Sequence, residues 1–184
     1  MNSHRNLSNE KEDFNNIVLI GMPASGKSTA GVILAKILGM DFTDTDIIIQ
    51  QQEGVRLEQI IEQRGVEGFL KTEESALLNI KADNTVIATG GSAVYSKAGM
   101  KHLAIDSIII YLKVEMEELK KRLKNVKERG VVLRPGESID EMFAVRSKLY
   151  EEYSDITISE DEFSIEDTVR SIIDAIREKR HPKV

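Results

Sequence analysis

Ile17-Val-Leu-Ile-Gly21-Met-Pro-Ala-Ser-Gly26-Lys27-Ser28 carries four apolar residues into a glycine and then through the pattern G-x-x-x-x-G-K-[ST]. A short, continuous apolar run of this kind fits a strand buried on both faces of a parallel sheet. Gly21 and Gly26 permit backbone turns that a side chain would obstruct. The next stretch, from about Gly26 to Leu38, has Ala30, Ile33, Leu34 and Ile37 at helical spacing, with Gly39 as its stop. Strand, glycine-rich turn and helix in that order make a phosphate-binding loop, whose N–H groups and helix N-terminus favour a polyphosphate anion. Gly21, Ala24, Ser25, Gly26, Lys27, Ser28 and Thr29 are therefore the candidate ATP contacts. Lys27 brings positive charge to the β- and γ-phosphates, and the Ser28 hydroxyl is a magnesium ligand.

Outward from this loop, short apolar strands alternate with amphipathic stretches, the pattern of an α/β domain built on a parallel sheet. Further strands are predicted near Phe42 and over Val86 to Ala88, Ser107 to Leu112 and Ile156 to Ile158. Helices are predicted around Leu57 to Arg64, Phe69 to Lys81, Glu115 to Lys127 and Ile139 to Tyr153, with a last one from about Glu166. The segment 128–138 (ERGVVLRPGES) has two glycines, a proline and two arginines, and reads as an exposed loop.

The 184 residues suit one domain with its own core, expected over 16–180 between a disordered lead-in (1–15) and a short tail (181–184). No apolar run reaches the length of a membrane span, and the polar start lacks the core of a secretory signal. Cysteine is absent, which removes disulfides, thiolate metal sites and a cysteine nucleophile, and a cytoplasmic address fits best. A net charge of −6 and few aromatics argue against a nucleic-acid partner. The basic run Arg177-Glu-Lys-Arg180 reads as a solvated helix end, and the scattered His4, His102 and His181 as no metal site. Length also argues against a motor, and no guanine-recognition run of the N-K-x-D type is present.

Two more motifs follow strands and so face the same sheet edge. Asp44-Thr45-Asp46 offers one carboxylate for hydrated magnesium and one to orient an acceptor hydroxyl. Thr89-Gly90-Gly91-Ser92 lets a ligand approach the backbone closely. With the phosphate loop, the arginine-bearing segment 128–138 and Arg146-Ser-Lys-Leu-Tyr150, this series resembles the shikimate kinase family from about Ile17 to Ile176. The resemblance implies a three-layer α/β/α P-loop kinase fold with a five-stranded parallel sheet and a mobile lid at about 128–138. It implies ATP and Mg2+, a monomer, and phosphorylation of shikimate to shikimate 3-phosphate in aromatic amino-acid biosynthesis. By the same resemblance Asp44 and Ser28 serve the metal, Asp46 orients the acceptor, and Gly90, Gly91, Ser92 and Arg146 bind it. Arg129 is the first choice for the lid arginine and Arg134 the second, while Arg122 lies near adenine.

This chain departs from the family pattern at two places. Ser92 stands for the third glycine, and Leu70, after Phe69, stands where the family has an arginine that clamps the acceptor carboxylate. Those departures leave open a same-fold kinase for another small alcohol, such as homoserine or gluconate. A nucleotide-binding regulator without catalysis stays open as well, against the presence of Lys27, Ser28, Asp44 and Asp46.

Overall fold

β1 (Asn16–Gly21) is buried at every residue, and its alternate side chains enter two different cores. The computed structural model describes residues 14–123, 131–159 and 164–180. β2 (Asp41–Asp44), β3 (Thr85–Ala88), β4 (Ser107–Lys113) and β5 (Ile156–Ser159) complete a five-stranded parallel sheet in the order β2-β3-β1-β4-β5. The helices are α1 (Lys27–Leu38), α2 (Thr45–Glu53), α3 (Leu57–Asn79), α4 (Lys97–Leu103), α5 (Met116–Leu123), α6 (Ile139–Tyr153) and α7 (Ile165–Arg180).

Ile17 and Leu19 of β1 join Ile108 and Ile110 of β4 under Ala30 and Leu34 of α1 and Val169 and Ile172 of α7. Val18 and Ile20 turn the other way, to Leu77, Met100, Met142 and Tyr150 of α3, α4 and α6. Covering both faces is what allows the central strands to be apolar throughout, since every side chain then leaves water. The expected strands all form. α3 is interrupted at Gly65, whose φ of 69° and ψ of 176° are not helical, so the two separate helices predicted over this stretch are its two limbs. α2, α4 and a single 3-10 turn at Ala93–Tyr95 had no clear apolar period and are additions to the sequence reading. Of the predicted helix over 115–127, residues after 123 lie outside the described set, as does Arg129.

Parallel pairing brings the chemistry to one edge. Ala88 of β3 lies opposite both Leu19 of β1 and Asp44 of β2, so the loops that leave these three strands are neighbours. Open α/β sheets bind ligands beyond such strand ends. Among the described residues, no helix is long and apolar enough to cross a membrane.

Candidate active site

Gly21 ends β1 with a φ of 149°, and a Cβ there would stand 2.6 Å from the Leu112 carbonyl oxygen of β4. Only glycine tolerates both demands, so the chain can turn out of the sheet at this residue. The loop closes at Gly26, left-handed at φ 82°, and α1 starts on Lys27. Lys27 is buried, and its Nζ donates to the carbonyls of Gly21 (2.9 Å) and Met22 (2.7 Å) and to Ser25 Oγ (3.3 Å). These contacts stretch the lysine back over the loop. Ala24 holds a left-handed φ of 61° in the same loop, and its carbonyl accepts from Arg122 Nη1 at 3.2 Å. Arg122 also pairs with Glu118 at 2.9 Å, so α5 is tied to the outer rim of the nucleotide loop.

Asp44 divides its two oxygens between two tasks. Oδ1 caps α2 by accepting from the N–H groups of Asp46 (2.9 Å) and Ile47 (3.3 Å), and Oδ2 accepts from the Ser28 hydroxyl at 2.6 Å. Helix cap and phosphate-side carboxylate are thus the same residue. The cap in turn aims Asp46, in the first turn of α2, into the cleft. Burial, and then the neighbouring Asp44, push the Asp46 carboxyl up to about 6, against the pull of Lys27. A carboxyl held near neutrality can take or return a proton in the physiological range.

The cleft measures about 260 Å³ and is lined by Pro23, Lys27 and Ser28 on the loop side and by Asp46, Phe69, Ser92 and Arg146 opposite. Leu57 and Val132 add apolar wall. Gly90 is packed so tightly that a Cβ would come within 2.5 Å of Glu73 Oε1 and 2.6 Å of Asp46 Oδ1. A Cβ on Gly91 would meet the Pro23 ring at 2.9 Å, which sets the glycine segment directly against the phosphate loop. Ser92 is buried with φ −94° and ψ −6°, on the negative-φ side open to any L-residue, so the position does not require a glycine's left-handed freedom.

Arg146 is 1% exposed, which is rare for a guanidinium and demands partners. Its Nε donates to the Tyr95 hydroxyl at 3.2 Å and its Nη2 to the Val132 carbonyl, while Nη1 has no hydrogen-bond partner among the described residues. One turn later on α6, the Tyr150 hydroxyl donates to the Gly91 carbonyl at 2.6 Å and fixes the helix against the glycine segment. Arg134 lies outside the cleft wall, with its guanidinium carbon 5.1 Å from the centre of the Tyr95 ring. Leu70 is half-buried, packs into the apolar cluster around Ile49, Ile60 and Phe69, and takes no part in the cleft wall.

Glu73, Tyr95 and Tyr150 were not among the residues expected from sequence. For Glu73 a signal existed: it falls four residues after Phe69 and three before Ala76, both buried, so it lies on the inward face of α3. Its Oε1 has no hydrogen-bond partner among the described residues. Burial drives its carboxyl up to about 8, partly offset by the Ser92 hydroxyl, with Asp46 raising it further and Arg146 lowering it. From about pH 4.5 to 8 the folded chain therefore keeps a proton that the unfolded chain releases, so stability declines as pH rises through this window. Glu73→Gln lacks that ionisation. Its melting temperature relative to the parent should be at least about 5 °C more favourable at pH 9 than at pH 5. A pH-independent difference in thermal melts would show that Glu73 is not protonated in the fold.

The sequence model of the shikimate kinase family matches residues 23–177 of this chain. The chain belongs to the shikimate kinase family. It is 37% identical to the shikimate kinase of Pasteurella multocida over 165 residues, covering 88% of this chain and 94% of that one. Its backbone is similar to the Acinetobacter baumannii shikimate kinase solved in complex with shikimate, at a TM-score of 0.84 and 28% identity over 92% of this chain and 97% of that one. The Aquifex aeolicus shikimate kinase gives a TM-score of 0.80 at 30% identity, covering 91% of this chain and 99% of that one. The sheet order found here is that of a shikimate kinase fold, and the protein is an ATP-dependent phosphotransferase of this family. The non-catalytic regulator and the kinase for an unrelated alcohol give way to that assignment.

Proposed function

We propose that the chain transfers the γ-phosphoryl group of ATP to the 3-hydroxyl of shikimate, and that the cleft between the phosphate loop and α6 holds both substrates. The observation that carries the acceptor is Arg146: a buried guanidinium that lines the cleft, with Nη1 unpartnered among the described residues, suits a carboxylate. The phosphates lie over Gly21 to Ser28, against the loop N–H groups and the start of α1. The Ser28–Asp44 pair fits a magnesium ion that keeps most of its water, as hydroxyl and carboxylate already meet at 2.6 Å. Ser28 and Asp44 would hold it, and an ion held there would supply charge neutralisation for the phosphates. Asp46 accepts a hydrogen bond from the acceptor hydroxyl and then its proton as the O–P bond forms. Lys27 and a lid arginine stabilise charge on the oxygens in flight, and Arg134 is favoured for that role because it meets the Tyr95 ring that Arg146 also meets. A single domain over 16–180, a lid at 128–138 (of which 128–130 lie outside the described residues), a monomer and a cytoplasmic address belong to the same reading.

A coupled ADP-release assay with shikimate, homoserine, gluconate and no acceptor tests it. Turnover with shikimate alone is expected, and turnover only with another acceptor would reject shikimate as the substrate. Arg146→Lys keeps the charge and loses the fork. It should raise the shikimate KM by about 10- to 100-fold, the worth of one charge-assisted bond, with the ATP KM unchanged. An unchanged shikimate KM would remove Arg146 from the acceptor site.

A further inference from the structure

Tyr95 holds two arginines. It closes the 3-10 turn Ala93–Tyr95, and its N–H donates to the Ser92 carbonyl at 2.9 Å, so its backbone is a direct continuation of the glycine segment. Ala93 and Val94 are buried in the core between α3, α4 and α6, which fixes that turn in place. From there the Tyr95 hydroxyl accepts from Arg146 Nε at 3.2 Å, and the guanidinium carbons of Arg146 and Arg134 each stand 5.1 Å from the ring centre.

We propose that Tyr95 is a positioning residue for phosphoryl transfer, its hydroxyl orienting the Arg146 guanidinium and its ring seating that of Arg134 beside the acceptor. The inference rests on the phosphotransferase reading above and adds a residue to it. With Nε held by Tyr95 and Nη2 by Val132, the plane of the Arg146 guanidinium is set and Nη1 is the group left for a ligand. Without the hydroxyl, one of the two anchors goes and the fork can turn about its last bonds. Arg134 is exposed on a tight turn, closed by its own carbonyl accepting from Glu137 N–H at 2.9 Å. An exposed arginine samples many rotamers, and an aromatic face selects among them by cation–π attraction.

Steady-state kinetics of Tyr95→Phe and Tyr95→Leu separate the two tasks. Tyr95→Phe keeps the ring and should raise the shikimate KM about fivefold, with kcat and ATP KM within about twofold of the parent. Tyr95→Leu should show the same KM rise and lower kcat by about tenfold, as the seat of Arg134 goes. In an Arg134→Ala background the leucine substitution should lower kcat no further, because both changes then act on one contact. Values within twofold throughout would overturn the proposal, as would a parallel rise in ATP KM and fall in melting temperature, which mark a purely structural tyrosine. A second readout needs no acceptor: side-chain 15N NMR should show a slowly exchanging Arg146 Nε–H in the parent and in Arg134→Ala, and fast exchange in Tyr95→Phe. Equal exchange in all three would refute the hydroxyl's role. Should the parent itself fail to turn over shikimate, the substrate reading fails, and this exchange experiment still decides the part played by Tyr95.

Discussion

Lys27→Ala is expected to lower kcat by about 10³-fold or more while the chain still melts cooperatively, because the charge it removes is needed most in transfer. Phosphoryl transfer leaves little covalent work to the protein, so positioning and charge on the non-bridging oxygens account for most of the rate. Lys27 is the buried cation of the phosphate loop, stretched over the Gly21 and Met22 carbonyls within the cleft that also holds Asp46. The fold should tolerate its loss, since the sheet and its two cores do not include it. ATP affinity should also weaken, as the lysine faces phosphates before reaction as well as during it. Kinetics alongside a thermal melt make the check, and near-normal turnover in Lys27→Ala would overturn the roles assigned to the loop.

The second large effect is expected at Asp46. Asp46→Asn preserves shape and hydrogen bonding yet cannot take a proton, and should lower kcat by about 10²- to 10⁴-fold. The wild-type pH profile carries the matching signature. The Asp46 carboxyl titrates near 6 in the free protein, so kcat/KM should rise with pH through about 6 and then level off. That limb should be absent in Asp46→Asn. In Lys27→Ala it should move to higher pH, because Lys27 is the charge that pulls this carboxyl down. A profile with the same limb in Asp46→Asn as in the parent would assign the proton to another group.

Much of the nucleotide half was legible in the linear chain. Gly21, Gly26, Lys27 and Ser28 are contiguous, and their chemistry depends on backbone conformation that glycine positions announce. The strands were legible for a similar reason: continuous apolar runs such as Ser107 to Leu112 are readable wherever a strand is buried on both faces. α2 was missed because its start overlaps the Asp44-Thr45-Asp46 motif and its interior, Gln50 to Gln52, has little apolar period. Ser92 stands in the place of the family's third glycine, and only the fold shows that its φ is negative and open to a serine.

The acceptor half was harder because its residues are distant in sequence. Glu73, Gly90, Ser92, Tyr95, Val132 and Arg146 come from two helices and the segments beside them, and no spacing rule relates them. Glu73 could have been marked as a carboxylate on a buried helical face, yet its elevated pKa depends on which groups surround it, and those are set by packing. By itself, the sequence determined the sheet, the phosphate loop and the carboxylates at the strand ends, because backbone geometry and hydrophobic period act over a few residues. Only the tertiary structure decided that Arg146 is buried where it lines the cleft, that Tyr95 joins it to Arg134, and that Leu70 packs away from the cleft, because desolvation and side-chain orientation arise from contacts between distant segments.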